Sequence, residues 1–191
     1  VNSLGAGAVA AVSAGSRVNN IVVAPMETAG IAMATYCGQN LGAGRPDRIR
    51  QGMKSISWVC LGYSLLAFLV NFYAGTAISS LFMDNAGEEI LAQVHEYLAV
   101  NGAFYPLLTL IFIFRNGLQG MGFSNSAMFA GLSELAARAI VAFGFVGSLG
   151  YSAVCFANPL AWAFADLILL PLYFVKMRGL QRKAPLNALS L

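Results

Sequence analysis

The chain reads as an all-α integral membrane protein with about five spanning helices, and three observations carry that reading. Residues 55–83 hold no charged side chain, and 97–114 and 139–165 are equally bare. A spanning helix needs about 20 mostly apolar residues to cross about 30 Å of hydrocarbon. The composition agrees: 58% of residues are hydrophobic, 10% are charged and the mean hydropathy is +0.69, against roughly 25% charged in ordinary globular chains. Lysine and arginine are concentrated in two short segments, 45–54 and 176–183, as the loops of a polytopic membrane protein require.

The elements follow in order within one membrane domain, 1–191. The first span covers about 6–40 and is the least regular, interrupted by Arg17, Pro25, Glu27 and Gly30. The second is about 55–83. The third, about 93–120, contains Pro106. The fourth, about 126–148, follows a turn at 120–125. The fifth, about 153–177, begins near Asn158-Pro159 and carries Asp166. Proline and glycine are tolerated in such helices where neighbours satisfy the freed backbone groups.

Orientation follows from the basic residues. Arg45, Arg48, Arg50 and Lys54 after span one, and Lys176, Arg178, Arg182 and Lys183 at the end, belong on the cytoplasmic side of the plasma membrane. Asp84, Glu88, Glu89 and Glu96 then face outside. Span one must enter from outside, so a preceding helix is implied, and five helices look like six with one removed. Trp58, Tyr63, Phe72, Tyr73, Trp162 and Tyr173 sit where interfacial anchors belong.

Several function classes drop out. A net charge of +3 gives no electrostatic basis for nucleic-acid binding. Cys37, Cys60 and Cys155 lie far apart in apolar segments without metal-ligand spacing, and read as small buried hydrophobes. No metal site or organic cofactor is expected. An intramembrane protease would need a Gly-x-Ser and an intramembrane histidine, but the sole histidine, His95, falls at the end of the acidic loop. A phosphotransferase would need clustered aspartates to hold metal, and Asp47, Asp84 and Asp166 are scattered. The chain is not expected to be an enzyme. The glycine-rich run 38–45 lacks the Gly-Lys-Ser/Thr ending of a P-loop. It reads instead as a helix C-terminus, with a left-handed glycine cap and arginines complementing the helix dipole.

Two segments about 75 residues apart are distinctive: Ala34-Thr35-Tyr36-Cys37-Gly38-Gln39-Asn40-Leu41-Gly42-Ala43-Gly44 and Phe114-Arg115-Asn116-Gly117-Leu118-Gln119-Gly120-Met121-Gly122. In order, with this helix count and orientation, they resemble the C-terminal lobe of a multidrug and toxic compound extrusion (MATE) transporter, from that family's eighth helix to its twelfth. The resemblance implies a protein of two six-helix lobes, of which this chain would be most of the second. It further implies export of drugs or organic cations by alternating access, coupled to H+ or Na+. The first lobe would be the missing partner. An acid familiar from the family's seventh helix is not included here. The aspartate familiar from the tenth would fall near Leu108, where there is no carboxylate.

Within the membrane, a charge near the bilayer centre costs about 2.5–3.5 kcal/mol, so each needs a partner, water or a function. Glu27 lies mid-span, two residues after Pro25, with no basic residue within four positions. It is either protonated, or in a hydrated cavity, or paired with a cation on another helix. It is the candidate coupling carboxylate. Arg17, about 15 Å earlier along the helix, sits near Asn20, and both are pathway candidates. Asn101 and Tyr105 flank the Pro106 kink and are expected to line a cavity. Glu134 and Arg138 have the i, i+4 order of an intrahelical ion pair, and they too are candidates for the substrate and ion pathway. Arg115 is expected to snorkel to the interface, and Asp166 to cap a polar contact or approach Arg138. Glycines 117, 120 and 122 would permit close helix approach. Two alternatives stand beside the antiporter: a lipid-linked oligosaccharide flippase of related architecture, requiring a cationic cavity, and a structural membrane subunit.

Overall fold

The computed structural model of the chain describes residues 4–83 and 87–187, with side-chain surroundings through Arg182. Asp84 and the side chain of Lys183 lie outside the described residues. Every described element is a helix: α1 (Ala6–Gly42), α2 (Pro46–Ser80), α3 (Glu88–Ala103), α4 (Tyr105–Gly120), α5 (Asn125–Ile140), a π-helical turn (Val141–Phe145), α6 (Val146–Leu149) and α7 (Tyr151–Asn187). Among the described residues, four stretches are long and apolar enough to cross a membrane: 6–42, 46–80, 125–149 and 151–182. The α3–α4 pair makes a fifth if counted as one span bent by 53°.

The bend has a local cause. Pro106 has no N–H, so the carbonyl of Gly102 loses its helical donor and the chain breaks there. Phe104 takes up the change at φ −102°, ψ 8°, and the Phe104 N–H reaches back only three residues, to the Asn101 carbonyl at 3.1 Å. The span predicted as one helix with a proline inside is thus two helices meeting at an angle. The fourth span is irregular too, passing through the π turn before Gly150 ends it at φ +57°.

The end of α1 follows the glycine-cap expectation. Gly44 adopts φ +68°, and the Arg45 N–H closes onto the Asn40 carbonyl at 2.8 Å. Pro46 then starts α2, where its missing N–H costs nothing.

α1 lies at the centre, packed on α2, α3 and α4, while α7 packs on α5, α4 and α3. The larger core joins Met26, Met33 and Cys37 of α1 to Ile49 and Met53 of α2, Ile111, Ile113 and Leu118 of α4 and Leu169 of α7. A smaller one joins Ala11, Ala14 and Val18 to Val94, Leu98 and Cys155. α1 and α4 approach to backbone contact. A Cβ on Gly30 would stand 2.6 Å from the Phe112 carbonyl oxygen, and one on Gly120 2.7 Å from the Ala34 Cα. Van der Waals packing of this kind is what holds helices together in lipid, where hydrophobic burial offers little. Gly122 belongs to the turn instead: φ is +86° and a Cβ would meet nothing.

Three placements differ from the sequence expectations. Trp162 and Tyr173 are buried in the core rather than anchored at an interface, because the α7 face that carries them turns toward α4. Tyr173 packs edge-on against Phe114, with centroids 4.8 Å apart. His95 is not at a loop end. α3 begins at Glu88, which carries His95 two turns into the helix, where its ring lies 5.1 Å from that of Phe72 and its Nδ1 3.4 Å from Thr76 Oγ1.

Candidate functional site

The exposed faces of the helices divide by chemistry. α2 shows Trp58, Val59, Leu65, Leu66, Leu69 and Tyr73 outward; α5 shows Met128, Phe129, Leu132 and Leu135; α7 shows Phe164, Leu167, Phe174 and Val175. Such faces suit lipid. α1 is different. Its outward stripe at helical spacing carries Ser13, Arg17, Asn20, Ala24, Glu27, Thr28, Ile31 and Thr35, all exposed. Two ionisable groups facing hydrocarbon would be costly, so this face belongs against water or another polypeptide.

Within the stripe, neither Arg17 nor Glu27 is in an ion pair with any described residue. About 15 Å of helix separates them, too far for a mutual contact. Pro25 adds to the stripe by subtraction. It lies inside α1 and cannot donate to the Ile21 carbonyl, leaving an oxygen acceptor on the same exposed side, about a turn and a half before Glu27. Thr28 Oγ1 donates to the Ala24 carbonyl at 2.9 Å, keeping its own oxygen as an acceptor.

Asn101 and Tyr105 were expected to line a cavity, but both are fully buried. An amide or phenol without water must find internal partners, and both do so at the α3–α4 break. The Tyr105 hydroxyl donates to Asn19 Oδ1 at 2.5 Å and accepts from Asn71 Nδ2, tying α4 to α1 and α2. Asn101 Nδ2 donates to the Tyr97 carbonyl at 2.8 Å, while its Oδ1 accepts from Asn158 Nδ2 at 3.2 Å. Asn158 also reaches the Tyr97 hydroxyl at 3.3 Å, which lies 3.1 Å from Ser16 Oγ, so a second network ties α1, α3 and α7. Asn71 and Tyr97 were not singled out from sequence, and Asn158, read there as marking the start of the fifth span, lies two turns inside α7. The available signal was that an amide inside an apolar span has to be paired.

Glu134 and Arg138 form their i, i+4 pair at 3.3 Å, but the pair is a triad. Arg115 of α4 also bonds Glu134, rather than reaching out to an interface. Glu134 is thus held by two guanidinium groups. Asp166 of α7, 4% exposed, has no hydrogen-bond partner at either carboxylate oxygen. Among the described residues Asp166 is in no ion pair, with Arg138 or with any other cation.

These features define a helical membrane lobe with one polar, unpartnered helix face, a broken span and internal charge pairs. The MatE family model matches residues 1–144, and the chain belongs to that family. It is also 27% identical, over 129 residues, to a protein of Shewanella oneidensis described as an FAD transporter. That match takes in 67% of the chain and 28% of the relative's length.

Proposed function

We propose that this chain forms one lobe of a secondary antiporter that exports organic substrates by alternating access, driven by H+ or Na+, with α1 as its substrate- and ion-facing helix. The carrying observation is the polar outward stripe of α1, with Glu27 exposed and unpaired on an otherwise apolar molecule. A second lobe would cover this stripe, converting it into the wall of a central, hydrated path in the plasma membrane, with the C-terminus cytoplasmic. Glu27 and the bare Ile21 carbonyl are hard oxygen ligands of the kind that hold small cations, and a carboxylate also takes a proton. Binding a cation would shift the lobes only through a difference in its affinity for the two states.

Two substrate readings follow from the stripe. Organic cations suit Glu27. An anionic aromatic substrate suits Arg17, and the name of the Shewanella relative favours this second reading. A flippase needs a broadly cationic cavity. Arg115 and Arg138 both bond Glu134 inside the lobe, leaving Arg17 as the arginine on this face, which argues for the antiporter.

The test is transport by the full-length protein in proteoliposomes under an imposed H+ or Na+ gradient. Organic-cation dyes and FAD would serve as alternative substrates, with Glu27→Gln and Arg17→Gln beside the wild type. Loss of gradient-driven export in Glu27→Gln is expected. Undiminished export would remove Glu27, and with it the coupling role of this face.

A further inference from the structure

The internal charge cluster is asymmetric in a way the outward stripe does not explain. Glu134, in the half-buried middle of α5, is bound by both Arg115 and Arg138. Asp166 lies on α7, the helix packed against both α5 and α4, with both carboxylate oxygens buried and without a hydrogen-bond partner among the described residues, and the Nε of Arg115 is also buried and unpartnered. One carboxylate has two cations and the other has none. A bare carboxylate buried in a membrane protein is neutralised by a proton or draws in a cation. Arg115 can leave Glu134 without stranding it, because Arg138 remains.

We propose that Asp166 is a proton-binding site inside the lobe, and that Arg115 is shared between two partners according to its state. With Asp166 protonated, Arg115 sits on Glu134, as in this structure, and joins α4 to α5. When the Asp166 carboxyl releases its proton to water, the carboxylate draws the Arg115 guanidinium across and joins α4 to α7, while Arg138 keeps Glu134 paired. The proton is the only species gained or lost. A recess of about 530 Å³, lined by Ser124, Asn125, Ser126, Leu172 and Lys176 among others, opens beside α7. Leu172, the lining residue of α7 nearest to Asp166, is about 9 Å from it along the helix. Two titratable groups of α3 meet α7 well away from Asp166. Glu96 of α3 accepts from Ser152 Oγ and Tyr97 bonds Asn158, both two turns or more toward the start of α7. The π turn and α6 contain no titratable residue.

The device does not depend on Glu27, and the test separates the two. Infrared difference spectra of the full-length protein in nanodiscs, titrated between about pH 5 and 9 where surface carboxylates stay ionised, report the carbonyl stretch of a buried protonated carboxyl. A pH-dependent band is expected in wild type and in Glu27→Gln, and its loss is expected in Asp166→Asn. A spectrum in which Asp166→Asn removes no pH-dependent component overturns the proposal. Should Asp166→Asn fail to fold, Glu134→Gln in the Glu27→Gln background decides. Freed of Glu134, Arg115 should favour the ionised Asp166 and move the midpoint down by about one pH unit or more. An unchanged or raised midpoint would overturn the exchange.

Discussion

Replacing Gly120 by alanine adds one methyl group at the tightest helix crossing in the lobe. That methyl would stand 2.7 Å from the Ala34 Cα and carbonyl carbon and closer still to the Ala34 carbonyl oxygen. Ordinary carbon–carbon contact lies at about 3.5–4.0 Å, so α1 and α4 would have to separate by about 1 Å. No flexible side chain can absorb the difference, because the obstructing atoms are backbone. The separation would also loosen the reciprocal contacts at Gly30 with Phe112 and at Gly38 with the Gly120 carbonyl. Overpacking costs about 1–3 kcal/mol, and a site bounded by backbone belongs at the upper end. About 3 kcal/mol corresponds to a fall of about 6–12 °C in Tm for a unit of this size. The assay is thermal denaturation of the detergent-solubilised full-length protein, followed by fluorescence-detected size exclusion. Gly131→Ala on α5 is the control. A Cβ there meets nothing, and removing a helical glycine should stabilise by about 0.5–1 kcal/mol. If Gly120→Ala melts with Gly131→Ala, α1 and α4 do not meet at backbone distance.

Tyr105→Phe strands the buried Asn19 Oδ1 and Asn71 Nδ2 together, at about 1–3 kcal/mol each, so a Tm drop comparable to that of Gly120→Ala is expected in the same assay. A phenylalanine variant as stable as wild type would show that this network is not structural. Glu27→Gln should leave Tm within a degree or so of wild type while abolishing coupled export, since the side chain is exposed and is in no ion pair with any described residue. A large drop in Tm would reassign Glu27 to packing. Pro25→Ala restores the donor to the Ile21 carbonyl. The cation concentration for half-maximal export should rise without loss of stability, and an unchanged value would remove that carbonyl from the cation path.

The lobe's class was legible in the linear order of residues because it rests on composition and length. Uncharged runs such as 55–83 have one physical outcome in a chain this apolar, and Gly44 and Pro46 signal the end of one helix and the start of the next through backbone geometry alone. The intrahelical pair of Glu134 and Arg138 was legible for the same reason, since both partners share a helix. What a helix face meets is another matter. Only the packing of α1 on α2, α3 and α4 shows that Arg17, Asn20 and Glu27 point away from the lobe while the adjacent Asn19 points into it. The burial of Asn101 and Tyr105, the seating of Trp162 and Tyr173 in the core, and the capture of Arg115 by Glu134 each depend on a residue from a distant segment. Periodicity along one helix says which residues share a face. It carries no record of which face turns inward, and that choice, made by backbone contact at Gly30 and Gly120, decided which polar groups became structure and which were left open for function.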